Sequence, residues 1–122
     1  MEGKILIACR GDECRAKLLN LLTSPRLTLR AICEEADLLL EMLERDYHVI
    51  IYDLEISKLD GLKMVKILRK IRPKVALVVI SRNPSKELGG KILQEGVAYY
   101  GVKPINPEAI KEAVLSALKK RN

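Results

Sequence analysis

The sequence predicts an α/β fold: a five-stranded parallel sheet that is covered by helices on both faces. Two observations support this prediction. Short apolar runs alternate with longer amphipathic segments along the chain, and three of the runs are apolar almost throughout. Strands that are buried on both faces of a parallel sheet have this composition, whereas half-exposed strands alternate between apolar and polar residues. The alternation of strands and helices then covers both faces of the sheet through right-handed crossovers.

Five strands and five helices are predicted in order. The strong apolar runs are residues 5–9, 48–52 and 75–80, and two weaker strands are residues 27–32 and 98–102. Three helices with an apolar stripe at helical spacing are residues 13–22, 36–45 and 62–71.

The last two helices are defined by other signals. Asn106 is the predicted N-cap of the final helix, and Pro107 occupies its first position. A helix over residues 84–95 is weakened by Gly89 and Gly90, each of which costs about 1 kcal/mol of helix stability relative to alanine.

Composition limits the class of protein. With 122 residues, 48% of them hydrophobic and 31% charged, the chain is predicted to be one globular domain over residues 1–122. The apolar runs are far shorter than the roughly 20 residues of a membrane-spanning helix, and a secretory signal is not expected. Three cysteines without a CxxC pair argue against a disulfide scaffold or a zinc site. They predict reduced thiols in the cytoplasm.

The charge balance keeps an acidic or nucleic-acid partner in view. Lys and Arg number 22 against 16 Asp and Glu, which gives a net charge of +6. The chain has no Trp, no Phe and four Tyr, so it lacks the aromatic platforms on which single-stranded nucleic acids stack. His48, the single histidine, is predicted to be structural. The basic helix face is predicted to be solvated, and it consists of Lys63, Lys66, Arg69 and Lys70.

Three polar side chains directly follow predicted strands. They are Asp53, Ser81 and Lys103. Because the carboxyl ends of parallel strands meet at one edge of the sheet, these side chains are expected to converge where such sheets bind ligands. A carboxylate, a hydroxyl and an ammonium group predict a phosphoryl site, with Asp53 as nucleophile or acceptor. The Lys103–Pro104 peptide bond is a candidate for the cis form, which would aim the lysine.

The order and spacing of these residues resemble the receiver domain of response regulators, the CheY-like superfamily. The resemblance rests on Asp53 with Asp60–Gly61 seven residues later, on Ser81, and on residues 96–104, and it extends from Lys4 to the last helix. It implies a flavodoxin-like (βα)5 three-layer sandwich with the strand order 2-1-3-4-5. It also implies a signalling module of a two-component phosphorelay, which is not an enzyme apart from self-phosphorylation from a phosphodonor.

The resemblance assigns roles to five residues. Asp53 would be the phosphoacceptor, supplied by a histidine kinase or a phosphotransfer protein. Ser81 and Tyr100 would be the switch residues, and Lys103 would contact the phosphoryl group. Glu55 would offer its backbone carbonyl to Mg²⁺, the cofactor of the family. An output protein or a second copy of the chain would bind the face formed by helix 4, strand 5 and helix 5.

Two positions depart from the family pattern. Receiver domains have two acids after the first strand, which hold Mg²⁺ together with the acceptor aspartate, whereas this chain has Cys9 and Arg10. Mg²⁺ prefers carboxylate oxygens, a thiol is a soft ligand, and a guanidinium repels the ion. We therefore expect an atypical pocket in which Mg²⁺ binding is weak or absent and phosphorylation is impaired. Arg10 is instead predicted to pair directly with Asp53.

Two further substitutions adjoin the predicted site. Ser57 stands where the family often has proline, and Arg82 stands where a small residue usually follows the hydroxyl residue. The bulky Arg82 is expected to restrict access to the site or to bind phosphate itself. Both changes predict a departure from standard switching.

Three alternatives stay open. One is a pseudo-receiver that never takes phosphate and acts as a docking or dimerisation module. Another is a redox-sensing domain, in which Arg10 lowers the pKa of Cys9. The last is a nucleic-acid-binding α/β domain, although a receiver domain would reach nucleic acid only through a removed or separate effector. No membrane partner is expected.

Overall fold

The computed structural model describes residues 2–58 and 60–121, so Leu59 and the two ends of the predicted 1–122 domain lie outside the described residues. Strands and helices alternate along the described chain. Their order is β1 Gly3–Ala8, α1 Asp12–Leu22, β2 Leu27–Ile32, α2 Glu35–Glu44, β3 Val49–Asp53, α3 Gly61–Ile71, β4 Ala76–Ser81, α4 Lys86–Gln94, β5 Tyr99–Val102 and α5 Pro107–Arg121. A single 3-10 turn, Leu54–Ile56, follows β3.

The strands form one parallel sheet in the order β2-β1-β3-β4-β5. This confirms the predicted α/β fold and strand order. The element limits differ from the prediction by one or two residues: Cys9 lies just after β1, and Asp53 is the last residue of β3.

The apolar runs are explained by two cores, one on each face of the sheet. Successive strand side chains point to opposite faces, so a strand covered on both faces is apolar at every position. One core packs the sheet against α2, α3 and α4, and its strand residues include Leu6, Ala8, Ile50, Tyr52, Leu77 and Val79. The other packs it against α1 and α5, and its strand residues include Ile5, Ile7, Val49, Ile51, Val78 and Ile80. Each fully buried Val, Leu or Ile side chain contributes about 1.5–3 kcal/mol through the hydrophobic effect.

Side-chain caps define where three helices begin. Asp60 caps α3, Ser85 caps α4, and Asn106 caps α5 through Oδ1, as the sequence predicted. Each cap accepts hydrogen bonds from backbone N–H groups that have no partner inside the helix. The α4 helix forms despite Gly89 and Gly90, with a serine cap at its start.

The topology creates a crevice at one edge of the sheet. The chain leaves β1 for β2 on one side and returns through α2 to β3 on the other side of β1. At such a reversal the crossovers diverge, and ligands bind at the carboxyl ends of the two central strands. Cys9 and Asp53 stand at those two ends. Among the described helices, none has the length and apolar character needed to cross a membrane.

Candidate functional site

The Asp53 carboxylate lies at the end of β3, and none of the residue is exposed. Its Oδ1 accepts a hydrogen bond from the backbone N–H of Glu55 at 3.0 Å. Its Oδ2 accepts from Lys103 Nζ at 2.8 Å, from Cys9 Sγ at 3.4 Å and from the backbone N–H of Arg10 at 3.4 Å. A buried carboxylate is costly unless its charge is paired and its oxygens are hydrogen-bonded. Lys103 supplies the opposite charge, and the other donors occupy the remaining acceptor positions.

Lys103 is positioned by the end of β5. Its backbone N–H donates to the carbonyl of Ser81 at 2.8 Å, so the ladder between β4 and β5 continues to this residue. The Lys103–Pro104 peptide bond is cis, as suggested by the sequence. Burial lowers the pKa of Lys103, but the hydrogen bonds to Asp53 and Glu55 outweigh burial, and the pKa lies above its ordinary value of 10.5. The ammonium group is therefore charged at neutral pH.

The Glu55 carboxylate joins two cations at the rim of the site. Its Oε2 accepts a hydrogen bond from Lys103 Nζ, and its Oε1 lies 3.0 Å from Nε of Arg82. The Arg82 side chain is 77% exposed, so this ion pair adds little stability, although it holds the guanidinium at the rim. Sequence reasoning considered only the backbone carbonyl of Glu55. The carboxylate contacts depend on the 3-10 turn after β3, which has no periodic pattern of apolar residues.

The predicted ion pair between Arg10 and Asp53 is wrong. Within residues 2–58 and 60–121, the ion pair of Asp53 is made by Lys103. Arg10 is exposed, and it reaches Asp53 through its backbone N–H. The loop after β1 explains the difference, because Nη1 of Arg15 donates to the carbonyls of Cys9 at 2.8 Å and Arg10 at 2.9 Å. This clamp turns the Arg10 backbone toward the carboxylate.

Cys9 is fully buried, and its thiol donates to Asp53 and shares an apolar core with Cys14. The hydrogen bond with the Cys14 thiol raises the pKa of Cys9, and burial and the Asp53 charge raise it further. The hypothesis that Arg10 activates Cys9 is therefore wrong. The same thiol contact lowers the pKa of Cys14 from 9.0 to about 7, with help from Lys103 and against the effect of burial.

Cys14 is a site residue that sequence reasoning missed. It lies in the first turn of α1 and is half-buried. Its five-residue separation from Cys9 matches no standard thiol motif. Its position could have indicated its role, because Cys14 lies in the first turn of the helix that follows β1, near the carboxyl edge of the sheet.

Ser81 and Tyr100 share a neighbour, Asn83. Ser81 is the buried last residue of β4, and its Oγ accepts a hydrogen bond from the backbone N–H of Asn83 at 3.0 Å. Tyr100 is half-buried in β5, and its hydroxyl donates to the carbonyl of Asn83 at 3.4 Å. Both predicted switch residues therefore contact the loop between β4 and α4. Their switching roles stay predictions.

Other residues that the sequence singled out have contacts elsewhere. His48 Nδ1 accepts a hydrogen bond from the backbone N–H of Lys4 at 3.0 Å, near the amino ends of the strands. The hydroxyl groups of Ser57 and Tyr52 form a hydrogen bond with each other. On the basic face of α3, Arg69 donates to a backbone carbonyl at 2.9 Å, so part of this face serves the fold.

An open cleft of about 800 Å³ extends outward from these groups. It is lined by Arg10, Gly11, Glu13, Cys14, Lys17, Glu55, Arg82, Lys103, Pro104 and Ile105. Cations outnumber carboxylates among these residues, and a concave surface with this excess attracts anions. The arrangement suits a small phosphorylated group.

A parallel (βα)5 sheet with an aspartate and a lysine paired at its carboxyl edge defines the class of the protein. Residues 5–115 match the response regulator receiver domain family, and the chain belongs to this family. Its members are generally signalling modules of two-component systems rather than enzymes, and response regulators interact with histidine kinases and output domains.

One curated relative is an uncharacterized transcriptional regulatory protein, YesN, from Bacillus subtilis (strain 168). The two sequences are 26% identical over 85 residues, which is 67% of this chain and 23% of YesN. The chain thus spans about a quarter of the length of this relative.

Solved receiver domains have the same fold. The receiver domain of the Francisella response regulator 1452 superposes with a TM-score of 0.88 at 21% identity and covers 99% of this chain and 100% of its own. A CheY-like receiver domain protein from Methanospirillum hungatei JF-1 superposes with a TM-score of 0.87 at 18% identity, covering 98% and 96%. A Burkholderia pseudomallei response regulator, solved with a phosphorylated aspartic acid, a calcium ion and citrate, gives 0.80 at 19% identity, covering 98% and 71%. At these identities the likeness shows the fold alone.

Receiver domains generally use Mg²⁺, but the donors at this site do not fit the ion. Mg²⁺ requires hard oxygen ligands in octahedral geometry. The position facing Asp53 carries the Cys9 thiol, a soft ligand that already donates to Oδ2. In the described parts of the chain, no three His, Cys, Asp or Glu side chains are grouped so that they could hold a metal.

Proposed function

We propose that this receiver domain, taken as one domain over residues 1–122, accepts a phosphoryl group on Asp53 and signals through protein–protein contacts. We further propose that Mg²⁺-dependent phosphorylation is impaired. The observation that carries the proposal is the buried Asp53 carboxylate with the Lys103 ammonium at 2.8 Å. It combines a nucleophile with a fixed cation at the mouth of an anion-attracting cleft.

The chemistry requires a phosphodonor. A carboxylate oxygen of Asp53 forms the new phosphorus–oxygen bond while the bond from phosphorus to the donor breaks, and the donor leaves with the electron pair. With a phosphohistidine donor the leaving group is the imidazole. Lys103 would stabilise the charge on the phosphoryl oxygens, and Ser81, at the end of the neighbouring strand, would donate to one of them.

We attribute the impaired phosphorylation to the positive charge of a divalent cation, which the pocket cannot hold. In phosphoryl transfer a divalent cation neutralises much of the charge that develops on the transferring group. Cys9 and Arg10 offer no carboxylate to hold such a cation. Lys103 is left as the cation in contact with Asp53, and the exposed Arg10 and Arg82 stand farther out on the rim.

The partners follow from the family and from one exposed surface. A histidine kinase or a phosphotransfer protein would supply the phosphoryl group. An output protein or a second copy of the chain would read the state at the face of α4, β5 and α5. Two large apolar residues are exposed on this face, Leu93 at 53% and Val102 at 41%, which supports a docking role. A reducing cytoplasm suits the three free cysteines.

A pseudo-receiver is the second candidate. It is favoured by one observation: both Asp53 oxygens already accept hydrogen bonds, from Glu55, Lys103, Cys9 and Arg10. A phosphoryl group would have to displace some of these donors. In this alternative the domain would act by constitutive docking or dimerisation.

Incubation with acetyl phosphate separates the two candidates. The purified chain and its Asp53→Asn variant are compared by intact mass, and the modified peptide is then mapped. We expect slow addition of one phosphoryl group to the native chain and none to Asp53→Asn, because the amide is not a nucleophile. Absence of any addition to the native chain after prolonged incubation would support the pseudo-receiver. Addition at another residue would refute the acceptor role of Asp53.

A further inference from the structure

Two cysteines flank the loop after β1, near the Asp53 carboxylate. Cys9 lies just after β1 and is fully buried, whereas Cys14 lies in the first turn of α1 and lines the cleft. Both side chains belong to the same apolar core, and the interaction between the two thiols shifts the pKa of each. The loop that joins them is fixed by Arg15, whose guanidinium holds the carbonyls of Cys9 and Arg10. The thiols are therefore neighbours in a constrained segment.

We propose that Cys9 and Cys14 are a modification site that closes to an intramolecular disulfide when the chain meets a hydroperoxide. The Cys14 thiolate attacks the outer peroxide oxygen, the oxygen–oxygen bond breaks, and the departing hydroxide is protonated to water. Cys14 is then a sulfenic acid. Cys9 gives up its proton as its sulfur attacks the Cys14 sulfur, the sulfur–oxygen bond breaks, and the departing hydroxide takes up that proton and leaves as water. Two thiols are oxidised, and one hydrogen peroxide is reduced to two waters.

The exposure and the electrostatic surroundings of the two thiols indicate that Cys14 reacts with the peroxide and that Cys9 then forms the disulfide. Cys14 is half-buried and lines the cleft, so a small peroxide can reach it, and its lowered pKa favours the reactive thiolate. Positive charge from Lys103 contributes to this lowering. Cys9 has no exposed surface, so a peroxide in the cleft cannot reach it first, and it is assigned the resolving position.

The disulfide would change the surroundings of Asp53. In the reduced chain the Cys9 thiol donates to Asp53 Oδ2 at 3.4 Å. A disulfide sulfur has no proton to donate, so this carboxylate oxygen would lose one of its three donors. Oxidation would thereby alter the pocket directly, through the residue that replaces a family acid. The bond formation itself does not depend on phosphorylation of Asp53.

Cys33 is the competing thiol. It follows β2, the strand next to β1, and is exposed. The backbone N–H of Cys9 donates to the carbonyl of Ile32 at 3.2 Å, so a bond between Cys9 and Cys33 is the main geometric rival. The test must therefore identify both partners.

Tryptic mapping under non-reducing conditions identifies them. Trypsin cleaves after Lys4, Arg10 and Arg15, which separates residues 5–10 with Cys9 from residues 11–15 with Cys14. The native chain and Cys33→Ser are reduced, exposed to a few equivalents of hydrogen peroxide, and then alkylated with iodoacetamide. For Cys33→Ser we expect the mass to fall by two hydrogens, no alkylation, and a linked pair of these two peptides that dithiothreitol separates. The native chain should yield the same linked pair.

Matched variants keep the proposal falsifiable. In Cys33→Ser chains that also carry Cys9→Ser, Cys14 should be oxidised to sulfenic and then sulfinic acid, since it has no resolving thiol. With Cys14→Ser in place of Cys9→Ser, the buried Cys9 should stay reduced. A bond from Cys9 to Cys33 in the native chain, sulfinic acid at Cys14 with Cys9 still alkylated, or no reaction of either thiol would overturn the proposal. Asp53→Asn should still form the bond, which separates this result from the phosphoacceptor test.

Discussion

Asp53 shows how a single buried charge is stabilised at this site. Its carboxylate has no exposure, and its four hydrogen-bond donors come from the loop after β1, the turn after β3 and the end of β5. Only Lys103 among these donors brings a full positive charge. The fold therefore depends on Lys103 for balancing this charge, independently of any role of the lysine in phosphoryl transfer.

Replacing Lys103 by methionine should reveal this dependence. The variant leaves Asp53 buried without its cation, and breaking a buried pair in this way costs about 3–5 kcal/mol. Urea unfolding of Lys103→Met should therefore give a free energy of unfolding that is lower by about 3 kcal/mol. The double variant Asp53→Asn with Lys103→Met should recover part of the loss. Equal stability of Lys103→Met and the native chain would contradict the pairing.

The same pair has a defined pH dependence. Since the pKa of Lys103 is raised in the folded chain, its contribution to stability is fully present below the ordinary lysine pKa of 10.5. The contribution is lost as the pH rises through the higher folded value. Stability measured between pH 7 and pH 9 should thus show no loss from this group.

Cys14 offers a second test at the residue scale. In the Cys33→Ser background, the rate of alkylation by iodoacetamide should rise with a midpoint near pH 7, because the pKa of Cys14 is lowered to about 7. Adding Cys9→Ala removes the thiol donor, and the midpoint should move toward 9.0. A midpoint that is the same in both chains would show that Cys9 does not stabilise the Cys14 thiolate.

At the scale of the element, α4 contains two adjacent glycines in different surroundings. A Cβ at Gly89 would lie 2.9 Å from Cε2 of Tyr100, whereas a Cβ at Gly90 would meet no atom within 4 Å. Gly89 is thus required by the close approach of the Tyr100 ring, which links α4 to β5. Gly90 has no such requirement and weakens the helix.

Alanine substitutions at the two positions form a matched pair. Gly90→Ala should stabilise the chain by about 0.4–1 kcal/mol, since alanine restricts the unfolded chain and favours the helix. Gly89→Ala gains the same helix propensity but must displace the Tyr100 ring, so it should be less stable than Gly90→Ala by about 1 kcal/mol or more. Thermal unfolding of both variants measures the difference. An equal gain in both would contradict the close packing of Tyr100 on α4.

Glu41 shows a similar link between α2 and the sheet. It is 7% exposed, its Oε1 lies 2.8 Å from Nε of Arg30 in β2, and it accepts a hydrogen bond from the Tyr47 hydroxyl. Burial raises the pKa of Tyr47 to about 12, and the bond to Glu41 contributes. This glutamate joins the edge strand to the segment that leads into β3. It is a structural residue and lies outside the cleft.

At the scale of the whole molecule, the fold follows closely from the sequence. The apolar runs predicted the strands because hydrophobic burial on both faces admits few polar residues, and Asn106 predicted the start of α5. The parallel topology predicted that Asp53 and Lys103 lie at the same edge of the sheet. These predictions depend on patterns that repeat over many residues, so a single unusual side chain does not change them.

The site was harder to predict because it depends on loops. Arg10 was expected to pair with Asp53, but Arg15 holds the loop so that the Arg10 backbone faces the carboxylate. The Glu55 carboxylate and the Cys14 thiol were missed, since each reaches the site from a turn whose geometry has no periodic signal. A residue type indicates which contacts are chemically favourable, and the loop conformation decides which of them form.

Arg10 provides a gain-of-function test of the pocket as a whole. Arg10→Asp restores a carboxylate of the family pattern at an exposed position, so the fold should tolerate it. We expect Mg²⁺ to accelerate phosphorylation of Arg10→Asp by acetyl phosphate about tenfold or more, because the added carboxylate helps to hold the ion. The control Arg10→Asn also removes the guanidinium but adds no carboxylate, so Mg²⁺ should not accelerate its phosphorylation in this way. The same rate for both variants at saturating Mg²⁺ would contradict the assignment of position 10.

We expect the native pocket to take a phosphoryl group on Asp53 with little help from Mg²⁺. The most direct measurement is the initial rate of phosphoryl addition from acetyl phosphate, followed by intact mass at increasing Mg²⁺ and with a chelator. We expect a slow rate that changes by less than about twofold over the titration, because Cys9 and Arg10 provide no carboxylate ligand for the ion. A saturable, Mg²⁺-dependent increase of about tenfold or more in the native chain would contradict it.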